Sequence, residues 1–201
     1  MTTMNKIKII GVGGSPRKGG NTDILLDKFL EGARSTGAET KKVMLREYCI
    51  KSCIGCEACR KTGTCTQFHD GMELLYPEIE ESKGLILGSP TYNYNVTAEM
   101  KTFIDRLYPF YDFTEERPGP YSSKLAGKGR KALVFTVCEQ VKAEEMGFTL
   151  EALGMPLEAL GYEIFDKFEA TGYFSKGEVL KDGDILKKAF EAGKKMALSL
   201  R

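Results

Sequence analysis

The chain contains 201 residues, of which 42% are hydrophobic, and its formal net charge at pH 7 is +1. This length suits one sizeable α/β domain, and the near-zero charge excludes a general nucleic-acid-binding surface. No apolar run approaches the ~20 residues that a membrane-spanning helix requires, and no secretory leader is recognisable. We therefore expect one domain over residues 1–201, located in the cytoplasm, without nucleic-acid or membrane partners.

Predicted strands and helices alternate along the chain. The strands fall at 6–13, 38–47, 83–90, 130–138 and 162–173, and the helices at 22–37, about 71–81, 96–108, 144–160 and 182–200. Pro156 is expected to kink or split the helix that contains it. Such alternation predicts an α/β fold with a doubly wound, five-stranded parallel sheet and helices on both faces.

Two insertions interrupt this alternation. Residues 113–131 form the longest polar and Pro/Gly-rich stretch, which predicts an exposed loop that could serve as a lid or a subunit contact. Residues at about 47–70 form a cysteine-rich insertion after the second strand. Clustered cysteines in a reducing compartment are more often metal ligands or redox thiols than structural disulfides.

The stretch "GVGGSPRKGGNT" follows the first predicted strand. It fails the dinucleotide fingerprint, because Pro16 occupies the position of the third glycine, and it lacks the Gly-Lys-Ser/Thr of a P-loop. It still offers donors at a helix N-terminus, which attracts anions, and a forked guanidinium suited to phosphate. The residues of this predicted anion site are Ser15, Arg17, Asn21 and Thr22. The alternative is an ordinary strand-to-helix turn.

A second polar loop, "TYNYN", begins where the third predicted strand ends at Ser89-Pro90. Its tyrosines could stack against a flat ligand, and Asn93 with the backbone could read the edge of a heterocycle. The alternative is a polar turn with two partly buried tyrosines. Because ligands of open parallel sheets bind beyond the carboxyl ends of the strands, both loops are placed to share one site.

Together, "GSPRKGGNT" and "SPTYNYNVTAEMKTFIDR" resemble the NADPH-dependent FMN reductase family, whose fold is flavodoxin-like. The resemblance covers most of the chain and is strongest over residues 9–106. It implies a single flavodoxin-like FMN-binding domain, with the FMN phosphate on the four residues of the anion site. It also implies that the isoalloxazine ring lies beside Pro90, Thr91, Tyr92 and Asn93. The loop at 136–140 corresponds only weakly to the family's third flavin loop, and its Cys138 is expected to be buried.

The cysteine segment "CIGCEACRKTGTC", residues 53–65, has the spacing C-x2-C-x2-C-x5-C. Zinc sites usually combine two separate cysteine pairs, which this run lacks. Ferredoxins use C-x2-C-x2-C for three corners of an iron–sulfur cluster. The segment also lies where the iron–sulfur flavoproteins of the resembled family carry their cluster motif. We therefore assign a 4Fe–4S cluster to Cys53, Cys56, Cys59 and Cys65, with Gly55 and Gly63 allowing a tight backbone.

The leading hypothesis is an FMN-dependent oxidoreductase that couples FMN to the 4Fe–4S cluster, with NAD(P)H as a possible electron donor and a small molecule or protein as redox partner. One alternative is a cluster-free NAD(P)H-dependent FMN or quinone reductase with bare thiols. Another is a non-enzymatic electron carrier, which a net charge of +1 disfavours. No catalytic acid or base stands out. The resemblance to iron–sulfur flavoproteins implies a homodimer or homotetramer.

Overall fold

The computed structural model describes residues 6–201, and residues 1–5 of the predicted domain lie outside this range. The strands are β1 (Lys8–Gly13), β2 (Glu39–Met44), β3 (Gly84–Pro90), β4 (Tyr111–Phe113), β5 (Tyr121–Ser123), β6 (Lys131–Cys138) and β7 (Glu163–Thr171). Five of them form a parallel sheet in the order β2-β1-β3-β6-β7, while β4 and β5 form a separate antiparallel hairpin. The predicted fold class is confirmed.

Helices cover both faces of the sheet. They are α1 (Asn21–Arg34), α2 (Cys59–Thr62), α3 (Met72–Glu81), α4 (Ala98–Asp105), α5 (Thr149–Ala159) and α6 (Gly183–Ser199). Successive strand residues point to opposite faces, so Ile9 packs among the apolar residues of α1 and α6, and Ile10 among those of α3, α4 and α5. This double coverage explains why the central strands are almost continuously apolar.

Two glycines allow α1 and α6 to cross at very short distance. A Cβ on Gly32 would lie 1.9 Å from the carbonyl oxygen of Phe190, and a Cβ on Gly193 would lie 2.0 Å from that of Phe29. Neither space admits a side chain, since backbone atoms have little freedom to move aside. The close crossing fixes α1, whose N-terminus borders the candidate site.

The helix predicted over residues 144–160 is interrupted, but not at Pro156. A 3₁₀ turn covers Ala143–Met146, and α5 then runs through Pro156 without a break. The interruption falls at Gly147, which has a φ of 62° and packs so closely that a Cβ would lie 2.4 Å from the carbonyl oxygen of Tyr94. The expected split at Pro156 is therefore wrong, because a tertiary contact at Gly147 sets the break, while the alternative of a kink at Pro156 stays a prediction.

The insertion at 113–131 includes part of the β4–β5 hairpin, which packs on the cysteine segment. Arg60 donates a hydrogen bond of 2.7 Å to the carbonyl oxygen of Thr114, and Arg117 pairs with Glu57. Lys124 contacts the carbonyl oxygen of Gly63 at 3.4 Å. The hairpin thus supports the loop that carries the cysteines.

The sheet order places the ends of β1 and β3 side by side, with the crossovers that follow them on opposite faces. This is the topological switch point at which doubly wound proteins bind ligands. Within residues 6–201, no helix is both long enough and apolar enough to cross a membrane.

Candidate functional site: two pockets

The loops after β1, β3 and β6 border one pocket of about 430 Å³, to which residues after β7 also contribute. This volume lies within the range of small-molecule sites. All eight residues that the sequence predicts for flavin binding line it: Ser15, Arg17, Asn21, Thr22, Pro90, Thr91, Tyr92 and Asn93. The other lining residues are Gly20, Tyr94, Val137, Glu139, Gln140, Glu145, Tyr173, Phe174 and Lys176. Of these, Val137, Glu139 and Gln140 lie in the loop at 136–140 that corresponds weakly to the third flavin loop of the resembled family.

The N-terminus of α1 forms one end of this pocket. Gly20 is the N-cap, in extended conformation, and no side chain caps the first turn. Asn21 and Thr22 line the pocket and are only 7% and 2% exposed. Unsatisfied N–H groups and the helix dipole at such an end favour an anion. The glycine N-cap therefore leaves this end suited to a phosphate.

A buried ion pair fixes the loop that precedes α1. Arg46 contacts Asp23 through both terminal nitrogens, at 2.7 and 3.0 Å, and donates a further bond of 3.0 Å to the carbonyl oxygen of Ser15. Asp23 also accepts a bond of 2.8 Å from the backbone N–H of Gly19. The sequence alone gave no sign of Arg46, because it lies on the 3₁₀ turn after β2, far along the chain from Ser15.

Arg17 and Asn21 are tied to the segment that follows β7. The guanidinium of Arg17 donates to the carbonyl oxygen of Phe174 at 3.1 Å and lies 5.2 Å from the centre of that ring. The amide of Asn21 donates to Ser175 at 2.9 Å and accepts from the N–H of Val179 at 3.2 Å. Asn21 thus holds the pocket together through its side chain, and its backbone N–H is the group left to face a ligand.

The loop after β3 forms the opposite end of the pocket. Its Thr91 hydroxyl lies 3.0 Å from the hydroxyls of both Thr136 and Thr149, which anchors the loop to β6 and α5. Asn93 and Tyr94 both have positive φ, 47° and 63°, in a tight turn. Such conformations are costly for residues other than glycine and cluster at functional sites. In this turn the side chain of Tyr92 lines the pocket and is 41% exposed.

Tyr173 stays neutral at the pocket edge. Burial raises its pKa to about 12, and a hydrogen bond of 2.6 Å to Asp182 acts in the same direction. The pocket also contains cations, Arg17 and Lys176, and carboxylates, Glu139 and Glu145. Ligands of open parallel sheets bind beyond the carboxyl ends of the strands, and β7 ends at the same edge as β1 and β3. This rule could have identified the segment after β7 as part of the site.

The four cysteines of the predicted cluster line a second cavity, of about 60 Å³. Gly55, Glu57 and Gly63 have φ values of 67°, 57° and 72°, which turn the loop tightly between the cysteines. Cys53 and Cys56 are exposed, whereas Cys59 and Cys65 are half-buried. Burial raises the pKa of the Cys59 thiol, and the charges of the other three cysteines add to this effect. All four cysteines therefore border the same small cavity.

This donor set fits an iron–sulfur cluster. Within residues 6–201, no three His, Cys, Asp or Glu side chains converge as ligands of a single metal ion, and all six cysteines are free. A cubane cluster differs, because each thiolate binds a different iron and the sulfurs stand around a shared cavity. The other residues of the cavity include the aromatic side chains Phe68, Tyr76 and Tyr108 and the charged side chains Glu57, Asp105 and Arg106. Cys49 is not among them, and Cys138 is buried elsewhere, as the sequence predicted.

Comparison with curated proteins reveals relatives named for both cofactors. An iron–sulfur flavoprotein of Archaeoglobus fulgidus is 39% identical over 195 residues, which is 95% of this chain and 79% of that protein. An iron–sulfur flavoprotein of Methanocaldococcus jannaschii is 39% identical over 103 residues, 51% of this chain and 53% of that protein. A third, from Methanosarcina thermophila, is 35% identical over 100 residues, 50% of this chain and 52% of that protein.

Solved structures agree on the fold. An NADH:FMN oxidoreductase in its apo form superposes with a TM-score of 0.68 at 18% identity, covering 98% of this chain and 91% of that one. A flavodoxin from the domain Archaea superposes with a TM-score of 0.61 at 13% identity, covering 96% and 99%. The model of the family described as NADPH-dependent FMN reductase matches residues 7–137. The chain belongs to this NADPH-dependent FMN reductase family.

Proposed function

We propose that this protein is an FMN-dependent oxidoreductase of the NAD(P)H-dependent type that couples FMN to a 4Fe–4S cluster. The observation that carries the proposal is that eight residues chosen from two separate sequence motifs line one pocket at the switch point of the sheet. The family membership supports FMN as the ligand of this pocket. The names of the relatives support a cluster in the cysteine cavity.

The phosphate end of FMN fits the loop after β1. The open N-terminus of α1 supplies backbone N–H donors, and Arg17 supplies a cation that Phe174 already holds in place. Hydrogen bonds to charged groups contribute roughly 1.5–3 kcal/mol each. Arg46 and Asp23 keep the loop in shape without entering the pocket lining.

The isoalloxazine end fits the loop after β3. Pro90 and Thr91 form the end of the strand, and the turn through Asn93 presents Tyr92 for contact with a flat ring. Exposed aromatic residues adjoin this end: Tyr94 is 65% and Phe148 is 71% exposed. We place the surface at which a homodimer or homotetramer assembles here.

FMN held by the loops after β1 and β3 would supply hydride and single-electron chemistry between NAD(P)H and a small molecule or protein acceptor, and a cluster held by the four cysteines would supply one-electron transfer. The protein supplies orientation and electrostatics for this chemistry. Cys53 and Cys56 are exposed, so a cluster held by the four cysteines would lie near the surface, within reach of a redox partner. We expect the protein to work in the cytoplasm, where such a cluster is protected.

The test is anaerobic reconstitution of the protein with FMN, iron and sulfide, followed by metal analysis and steady-state oxidation of NADH and NADPH with several acceptors. The proposal predicts stoichiometric FMN, four irons per chain and turnover with at least one nicotinamide. FMN and turnover without iron would support the cluster-free reductase, in which the cysteines are bare thiols. FMN without turnover would support an electron carrier.

A further inference from the structure

Arg106, at the end of α4, lines the cysteine cavity and is only 2% exposed. Its terminal nitrogens contact Asp70 at 2.7 and 3.2 Å, and one of them donates 2.8 Å to the carbonyl oxygen of Lys51. Asp70 in turn accepts 3.0 Å bonds from the backbone N–H groups of Lys51 and Met72. Arg106 and Asp70 therefore join the two ends of the cysteine-bearing loop to the body of the protein.

The Nε–H of Arg106 is not used in these contacts. Its Nε has no hydrogen-bond partner within residues 6–201, although it is buried. A buried N–H without a partner costs free energy, and a ligand in this cavity that accepted a hydrogen bond from Nε would offset that cost. The hydroxyls of Tyr76 and Tyr108, which line the same cavity, donate to the carbonyl oxygen of Arg106 and to the carboxylate of Glu57 and do not accept from this Nε.

Every carboxylate around the cavity is paired without a cluster, and the paired groups together carry one excess positive charge. Arg106 pairs with Asp70, Lys101 pairs with Asp105 at 2.6 Å, and Glu57 pairs with Arg60 and Arg117. Burial would raise the pKa of Asp70, but the hydrogen bonds from Arg106 and two backbone N–H groups outweigh it and lower the pKa. The pair thus stays ionised, and a cluster with four thiolate ligands would add net negative charge beside it.

We propose, on the basis of the proposed 4Fe–4S site, that Arg106 is the positioning and potential-setting residue of this cluster. Its Nε–H donates to a sulfur of the bound cluster, while its terminal nitrogens hold Asp70 and Lys51. A hydrogen bond to sulfur and a nearby positive charge both stabilise the more negative, reduced cluster. Asp70 opposes this effect, so the two members of one ion pair act on the potential in opposite directions.

The test is a redox titration of reconstituted protein, followed by EPR, for wild type, Arg106→Gln, Arg106→Lys and Asp70→Asn. Arg106→Gln should shift the midpoint potential of the cluster to a more negative value, and Asp70→Asn to a more positive value. Arg106→Lys, which keeps the charge, should shift it less than Arg106→Gln. The potentials of FMN, bound at the other pocket, should stay at their wild-type values in all three variants.

A purely structural role gives a different result, because both single substitutions break the same buried pair and loosen the same loop. Shifts in the same direction, or no shift, would overturn the inference.

Arg130→Lys is the matched control: Arg130 is 5% exposed, its Nε also lacks a partner, and it binds the carbonyl oxygens at the end of α3. If Arg106→Gln fails to fold, the midpoint potentials of Asp70→Asn and Arg106→Lys still test the inference, because it predicts shifts in opposite directions. Wild type that takes up no iron would instead refute the proposed cluster itself.

Discussion

The two pockets are built in different ways. The proposed FMN pocket is formed by loops at the ends of adjacent parallel strands, which the buried sheet holds in place, and its residues come from four segments of the chain. All four cysteines of the second cavity come from one loop, which is held mainly by Arg106, Asp70 and the β4–β5 hairpin. The first site should therefore exist before its ligand binds, whereas the second should depend on its cluster for rigidity.

The largest effect is expected when one thiolate of the cysteine cavity is removed. Cys59→Ala should abolish iron retention in anaerobically reconstituted protein, because one iron loses its protein ligand, while FMN stoichiometry stays at the wild-type level. Metal analysis and flavin absorbance measure both quantities in the same sample. Cys49→Ala is the control, since Cys49 lies outside the cavity lining. Loss of FMN in Cys59→Ala would show that the pockets are interdependent.

The converse experiment disturbs the flavin side. Asp23→Ala removes one partner of the ion pair with Arg46, whose side chains are 6% and 15% exposed. Breaking such a pair should lower the free energy of unfolding by about 3 kcal/mol. It should also weaken FMN binding, because Gly19 loses its acceptor and Arg46, which binds the carbonyl oxygen of Ser15, loses the partner that fixes it. Chemical denaturation and flavin titration measure these effects. Iron content after reconstitution should be unchanged, and its loss would contradict the separation of the two sites.

A smaller effect is expected at the pocket rim. Arg17→Ala should raise the dissociation constant of FMN about tenfold, equivalent to about 1.4 kcal/mol, which is the low end for a charged hydrogen bond at an exposed position. Riboflavin, which lacks the phosphate, should bind both proteins equally. Lys18→Ala provides the control, since the neighbouring Lys18 does not line the pocket. Equal weakening of riboflavin would place Arg17 away from the phosphate.

The smallest effect concerns alkaline pH. Burial raises the pKa of Tyr76, beside the cysteine cavity, to about 12, against an ordinary value of 10.0. The unfolded chain therefore loses this proton first, so the stability contributed by neutral Tyr76 is complete below pH 10 and is lost as the pH rises towards 12. Denaturation between these pH values should give a shallower decline for Tyr76→Phe than for wild type. An identical slope would contradict the burial of this hydroxyl.

Local patterns in the sequence predicted the five-stranded sheet, the helices other than α2, and the loops at the ends of β1 and β3. Apolar strands, glycine-rich turns and the amphipathic α1 are properties of neighbouring residues, and they suffice to place Arg17 and Tyr92 at one edge. The contacts that complete the site are non-local: Asn21 binds Ser175, which is 154 positions away, and Arg106 binds Asp70 at 36 positions. The break at Gly147 rather than Pro156 has the same origin, since it depends on packing against Tyr94.

An anaerobic crystal structure of the reconstituted protein, with anomalous diffraction at the iron edge, tests the central claim most directly. We predict four iron positions within the cavity of Cys53, Cys56, Cys59 and Cys65, with the FMN phosphate at the N-terminus of α1 and the ring against Tyr92. A single metal ion in that cavity, or FMN bound away from the ends of β1 and β3, would contradict the account.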